Sequence, residues 1–168
     1  MRLNPVLAVV LPAALAVSGC ESHDPKAELE VSAIETYWVL DSPRGATQYM
    51  APAIRFRVRN KSSEPVRSIQ ATANFRRAGE EESWGSAWEQ VTPASKPLEP
   101  GKEVLVVLRS DGRYTSNGDA ESMFAHERFR DARAELYLRV GSSGWVKMAE
   151  APVDRRVGSR TVQAYGPP

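Results

Sequence analysis

The chain has 168 residues, with 22 basic and 21 acidic side chains, two histidines and one cysteine. Because the charges nearly balance, no net field would draw the protein to nucleic acid or to an anionic lipid surface. One cysteine cannot form a disulfide within the chain, so stability must come from a hydrophobic core, and the length suits a single domain with such a core.

The N-terminus has three zones. Arg2 supplies one positive charge, residues 5–17 form an uncharged apolar run, and small residues follow before the polar part of the chain begins. This order is typical of a secretory signal peptide. The apolar run is also shorter than the ~20 residues that a membrane-spanning helix needs. The sequence therefore predicts export from the cytoplasm.

Val17-Ser18-Gly19-Cys20 resembles the lipobox of bacterial lipoproteins, in which an aliphatic residue, a small residue and Gly or Ala precede a cysteine. The resemblance implies that the signal peptide covers 1–19, that cleavage falls between Gly19 and Cys20, and that the thiol carries a diacylglyceryl group. Each buried methylene contributes about 0.8 kcal/mol, so two or more chains anchor a protein stably. The alternative is an ordinary signal peptide with a chance cysteine.

A short tether is predicted to follow the lipidated cysteine, over 20–26. In lipoproteins the residue after the cysteine influences sorting, and Glu21 at that position favours the outer membrane over the inner membrane. At ~3.3 to 3.6 Å per residue, the tether holds the folded domain within about 20 Å of the membrane. We predict a β-sandwich domain over 27–150 and a C-terminal strand or tail over 151–168.

Alternating apolar and polar residues dominate the rest of the chain and predict antiparallel strands that bury one face. The clearest alternation sets three apolar residues against three arginines: Ile54, Phe56 and Val58 against Arg55, Arg57 and Arg59. Similar patterns predict strands over 27–40, 69–76, 83–92, 104–108, 133–140 and 145–148. One helix is predicted between Asp119 and Phe129, with Asp119 as its N-cap and with Met123 and Phe124 facing inward.

About seven short strands, with turns roughly every ten residues, predict an all-β fold: an immunoglobulin-like antiparallel β-sandwich with one short helix. The stretches FRVRNKSSEPVRSIQATANF and KPLEPGKEVLVVL also resemble the FxLYD-type sandwich domains of bacterial surface proteins. In those domains a strand ending in Asn and small polar residues precedes a second strand, and a Leu-x-Pro-Gly turn precedes a third. This resemblance supports the fold and says little about activity.

Catalytic and metal-binding signals are weak. Nucleophilic catalysis needs a base beside the nucleophile; His23 lies in the predicted tether, and His126 lies in the predicted helix without a recognisable serine motif. Zinc needs His and Cys clusters, which the sequence lacks. Asp111, Asn117 and Asp119 could form an irregular calcium site, but such residues more often serve turns. We expect a protein that is not an enzyme and has no metal or cofactor.

Two groups of residues are candidates for binding. If Trp84 and Trp88 are exposed, they could stack on a sugar ring or fill a partner's pocket. If they are buried, they would cap one end of the core. Burial is the favoured interpretation because large aromatic residues dominate core energetics. The row of Arg55, Arg57 and Arg59 could contact an anionic glycan or lipid headgroups, but such rows are usually paired with acids on neighbouring strands.

The sequence therefore predicts a non-catalytic lipoprotein on the periplasmic face of the cell envelope, with the outer membrane favoured. We expect it to bind or scaffold an envelope protein or glycan near the membrane and not to bind nucleic acid. One alternative is an accessory lipoprotein subunit of an envelope secretion machine, since small sandwich lipoproteins of type VI secretion systems have a similar size and layout. Another is a glycan-binding module that uses Trp84 and Trp88. An envelope hydrolase built on His126 is the least favoured function.

Overall fold

The computed structural model describes residues 23–40, 47–116 and 119–158. The predicted signal peptide, Cys20 and its cleavage site, and the last ten residues lie outside these ranges. Within them, no helix has the length and the apolar character needed to cross a membrane.

The described residues form two short helices and eight strands. In chain order these are α1 (Pro25–Glu28), β1 (Leu29–Leu40), β2 (Gln48–Asn60), β3 (Ile69–Arg77), β4 (Gly85–Gln90), β5 (Glu103–Arg109), β6 (Tyr114–Ser116), α2 (Ala120–Ala125), β7 (Ala132–Val140) and β8 (Val146–Pro152).

Two antiparallel sheets face each other. The first sheet has the order β1-β2-β5, with β6 also paired to β2, and the second has the order β4-β3-β7-β8. The chain crosses between sheets after β2, β4 and β6, which is an arrangement of the immunoglobulin-like class. The predicted all-β sandwich is confirmed, and the three-residue β6 accounts for the strand beyond the seven expected.

The alternation in the sequence decides which faces meet in the core. Ile54, Phe56 and Val58 of β2 have no exposed surface, and the apolar residues of β3 and β7 are equally buried. Burying a large apolar side chain contributes roughly 1.5 to 3 kcal/mol. The core therefore depends on the inner faces of these central strands. The largest fully buried side chains are Trp38 of β1, Phe56 of β2 and Phe75 of β3.

The fold begins within the segment that the sequence assigned to the tether. The Asp24 carboxylate accepts a hydrogen bond from the Lys26 backbone N–H at 2.9 Å, and Pro25 is the first, buried residue of α1. The His23 ring nitrogen Nδ1 lies 2.9 Å from the Glu28 carboxylate. Asp before Pro is a favourable helix start, so this polar stretch folds onto the domain instead of hanging free.

The C-terminal half differs from the prediction at two boundaries. Helix α2 ends at Ala125, earlier than expected, although Asp119 is its N-cap and accepts a hydrogen bond from the Ser122 backbone N–H at 2.7 Å. Strand β8 continues to Pro152, past the predicted domain end. Val157 then pairs with Trp38 in a parallel bridge, so part of the predicted tail lies on β1.

The sandwich has two distinct ends. The N-terminal end consists of α1 and of the connections 61–68, 91–102 and 141–145, because β1 begins there while β2, β4 and β7 end there. The distal end consists of the connection 78–84 and of the segments 110–116, 119–131 and 153–158, which include β6 and α2. Strand β1 has 12 residues, and at ~3.3 Å per residue it separates the two ends by about 35 Å.

Candidate functional site

The arginine row lies on the outer face of the first sheet and is paired with acids. The partners come from the neighbouring strands: Arg55 contacts Glu35, Arg57 contacts Glu103, and Arg59 contacts Glu30. The hydrogen bond of 2.6 Å between Arg55 and Glu35 raises the pKa of the arginine and lowers the pKa of the carboxyl. The row is thus a solvated ladder of ion pairs, with little unbalanced positive charge for an anionic ligand.

Trp84 does not share an exposed face with Trp88, which corrects the strand expected over 83–92. Strand β4 begins only at Gly85, so Trp84 precedes the two-residue alternation, is half-buried and packs towards the core. Gly85 lies so close to the 110–112 connection that an added Cβ would sit 2.6 Å from the Gly112 backbone nitrogen. Trp84 is therefore half-buried beside the core and is not placed with Trp88 on one exposed sheet face.

An aromatic cluster fills the distal end between the two sheets. Trp38 is fully buried at its centre, and its ring centroid lies 5.2 to 6.3 Å from four other rings: Trp84, Tyr114, Phe124 and Phe129. Tilted and edge-on aromatic pairs contribute about 0.5 to 1.5 kcal/mol beyond their buried area. The indole nitrogen of Trp38 is enclosed with no hydrogen-bond partner among the described residues.

Trp88 is the most exposed large apolar side chain of the described residues, at 56%. It lies on the outer face of the second sheet, where Thr72 of β3 pairs with it on one side and with Tyr137 of β7 on the other. Two strand spacings put the backbones of Trp88 and Tyr137 about 10 Å apart. A small side chain thus separates two aromatic ones across an open sheet face.

A network of charges stabilises the same outer face beside Tyr137. Glu135 accepts hydrogen bonds from Arg76 at 3.1 Å and from Lys147 at 3.0 Å, and the Tyr137 hydroxyl lies 3.3 Å away. Burial alone would raise the pKa of Glu135, but the hydrogen bonds from Lys147 and Arg76 outweigh it, and the pKa is lowered. The carboxylate is therefore held charged as a structural partner.

A cleft of about 440 Å³ opens at the distal end. Its walls carry three arginines, a histidine and two aromatic rings: Arg77, Arg113, Arg128, His126, Tyr114 and Phe129. The sequence did not predict this cleft because its lining residues come from three separate parts of the chain. These parts are the end of β3, the residues at and just before β6, and α2 with the segment after it.

His126 lies on the wall of this cleft, where the sequence allowed a hydrolase as its least favoured reading. Its Nδ1 accepts a hydrogen bond of 3.1 Å from the Arg128 backbone N–H, so among the described residues the ring bonds to main chain and not to a serine or a carboxylate. Across the same described ranges, no three His, Cys, Asp or Glu side chains lie close enough together to hold a metal ion. His126 is therefore positioned as a hydrogen-bonding group.

No family model and no curated protein matches the chain. It is similar to the solved structure of a Bordetella pertussis protein provisionally named ApaA, at 17% identity and a TM-score of 0.40, over 75% of this chain and 92% of that one. It is also similar to a structural-genomics target, at 8% identity and a TM-score of 0.41, over 85% and 96% of the two chains. A protein from Archaeoglobus fulgidus is 11% identical, with a TM-score of 0.33 over 73% and 92%. The case for a function therefore rests on the residues of this chain.

Proposed function

We propose that this protein is a non-catalytic, lipid-anchored envelope lipoprotein that binds a partner close to the membrane. The observation that supports this most is the distance along the chain between the lipobox cysteine and the folded domain. Only two residues separate Cys20 from His23, which already contacts Glu28. At ~3.3 to 3.6 Å per residue, the attachment point lies within about 11 Å of the domain, nearer than the sequence alone predicted.

Such a short connection would hold the N-terminal end of the sandwich at the lipid surface. The distal end could then extend up to about 35 Å outwards, the length of β1. Confinement to a surface raises the local concentration of the domain, so weak contacts with another envelope component become effective. In this proposal the body of the protein serves as a surface-held binding module on the periplasmic side, with the outer membrane favoured.

Replacement of the cysteine tests the anchor. In a bacterial host that processes lipoproteins, the Cys20→Ser variant is expected to leave the membrane fraction and to collect in the soluble or unprocessed pool, because it has no thiol to acylate. A Ser22→Ala variant, changed just outside the lipobox, is the control and should stay with the membranes. A Cys20→Ser protein that is still processed and membrane-bound would contradict the proposal.

The exposure of Trp88 favours a second candidate function, the binding of a glycan on the outer face of the second sheet. Contiguous exposed apolar patches mark interaction sites, and Trp88 lies across Thr72 from a second aromatic residue, Tyr137. The Trp88→Ala variant should then co-sediment less with insoluble cell-wall polysaccharide than the unchanged protein. Leu105→Ala, at an exposed apolar residue of the other sheet, is the control, and equal sedimentation of all three proteins would rule this candidate out.

A further inference from the structure

The distal cleft combines an apolar floor with a cationic wall. Its floor includes Met123, which is buried, and the rings of Tyr114 and Phe129, whose centroids are 5.2 Å apart. The Tyr114 hydroxyl is held by the Arg130 backbone, from which it accepts a hydrogen bond of 3.1 Å and to which it donates one of 3.3 Å. The phenol is therefore fixed and presents its ring to the cleft.

The three arginines of the wall differ in what holds them. Arg77 is hydrogen-bonded to Glu80 at 2.9 Å and lies 5.5 Å over the Trp84 ring. The Arg113 guanidinium stacks 4.8 Å over the Tyr49 ring. Stacking of this kind fixes the plane of a guanidinium.

Arg128 is the cation of this wall best placed to receive a ligand. Its side chain is exposed, and it makes no ion pair within the described residues. Guanidinium groups match the oxygens of carboxylates and phosphates with two parallel hydrogen bonds. None of the described side chains that line the cleft is a carboxylate, and the Glu80 carboxylate is paired with Arg77.

His126 adds a directed donor to this wall. Because its Nδ1 accepts the hydrogen bond from the Arg128 backbone, the neutral ring carries its proton on Nε2. The same backbone contact joins the imidazole to the residue that supplies the guanidinium. A ligand oxygen could thus meet a histidine N–H beside the arginine, above a floor of aromatic rings.

We infer that the distal cleft binds an organic oxyanion, with a carboxylate or phosphate group on Arg128 and an aromatic or apolar body on the Tyr114–Phe129 floor. The cleft volume lies within the range of small-ligand pockets, roughly 300 to 1,000 Å³. Both ligand types share the chemistry of paired oxygens that accept from guanidinium groups. This inference goes beyond the proposed function and does not depend on the lipid anchor.

Calorimetric titration of the full chain in an uncharged detergent tests the inference, with each probe also titrated into detergent alone. Phenyl phosphate and benzoate supply the two oxyanions on an aromatic body, inorganic phosphate supplies the charge alone, and benzyl alcohol supplies the body alone. We expect phenyl phosphate, benzoate or both to bind at one site per chain, and the comparison identifies the preferred oxyanion. Inorganic phosphate and benzyl alcohol should each bind about tenfold more weakly or not measurably.

Substitution then locates the site. Arg128→Gln should weaken binding of the preferred probe about tenfold or more, since it removes a charged hydrogen-bond donor. Arg59→Gln, which removes the same charge near the N-terminal end, should change it by less than about twofold, because a Debye length near 10 Å screens so distant a charge. Unchanged thermal unfolding of both variants shows that they fold.

Three results would each overturn the inference. They are no binding of either aromatic anion, binding of benzyl alcohol as strong as that of the preferred anion, or full binding by a folded Arg128→Gln variant. Because the titration uses the full chain whether or not it is acylated, its failure is distinguishable from failure of the anchor in the Cys20→Ser experiment.

Discussion

Asn60, at the end of β2, connects the two sequence stretches that resemble the FxLYD-type domains. Its side chain is fully buried and donates hydrogen bonds to the Leu98 carbonyl at 2.8 Å and to the Glu64 carbonyl at 2.7 Å, while its oxygen accepts from the Ser62 backbone N–H at 2.9 Å. The Gly101 backbone N–H also donates to the Asn60 carbonyl. The Asn and the Leu-x-Pro-Gly turn are thus in direct contact, which the sequence order alone did not show.

Replacing Asn60 should loosen this junction. We expect Asn60→Ala to lower the free energy of unfolding by about 2 kcal/mol, because several hydrogen bonds are lost at a buried position. Urea denaturation measures the change. Asn74→Ala is the matched control, since the Asn74 side chain is half-buried on the outer face of β3 and makes no hydrogen bond within the described residues. Equal stability of the two variants would contradict the role assigned to Asn60.

At single positions, local rules predicted some roles and not others. Asp119 was recognisable as a helix N-cap because its carboxylate accepts a hydrogen bond from a backbone N–H only three residues further along the chain. The pairing of Arg55 followed from cross-strand geometry. The sequence left the position of Trp84 open between core and surface, because alternation assigns a face only within a strand and Trp84 lies just before β4.

At the scale of elements, the long strands were predicted well and the short elements poorly. The two-residue alternation covers 54–60 of β2, 69–76 of β3 and all of β7, and the buried and less buried positions follow it there. Strand β6 has three residues and α1 has four, too few for a period to be visible. Their formation depends on contacts with β2 and with the ends of β7 and β8, which lie far away in sequence.

The space between the sheets and the outer face of the second sheet differ in what they contribute to stability, and two tryptophans show the difference. Trp38 fills the space between the sheets, so Trp38→Ala should lower the free energy of unfolding by roughly 3 to 5 kcal/mol. Trp88 lies on the outside, so Trp88→Ala should lower it by less than about 1 kcal/mol. Chemical denaturation of both variants provides the measurement, and a comparable loss from the two would mean that the face assignments are wrong.

For the whole molecule, the sequence predicted the class of fold but not the distal cleft. The alternation of apolar and polar residues predicts which side of each strand is buried. The predicted number of strands is typical of a small set of β-sandwich folds. The cleft instead requires the crossing connections that bring Arg77, Arg113 and Arg128 to one end. No pattern in the sequence specifies that Tyr114 and Phe129 meet there.

Acid should destabilise the folded chain. Four carboxyl groups have pKa values below their ordinary ones: Glu35, Asp131, Glu135 and Glu150. Hydrogen bonds from arginine or lysine side chains lower these pKa values. At Glu135 they outweigh burial, which would raise the pKa. Their contribution is fully present above the ordinary pKa of 4.5 for Glu and 3.8 for Asp. This stabilisation is lost as the pH falls through the lower pKa values that these carboxyls have in the folded state, because the unfolded chain has already bound its protons at that pH.

Denaturation midpoints measured between pH 7 and about pH 3 check this expectation. The midpoint should fall as the pH drops below about 4.5, and Glu135→Gln should reduce both the stability at pH 7 and the loss in acid. Glu89→Gln, at an exposed residue of β4 that makes no ion pair among the described residues, is the control and should follow the unchanged protein. A midpoint that stays constant down to pH 3 would contradict the assignment.

The lipid anchor is tested most directly by the mass of the N-terminal peptide of protein isolated from bacterial membranes. Our account predicts a peptide that begins at Cys20 and is heavier than its amino-acid sequence by at least a diacylglyceryl group. A peptide that begins at another residue, or one that begins at Cys20 with a free thiol, would contradict it.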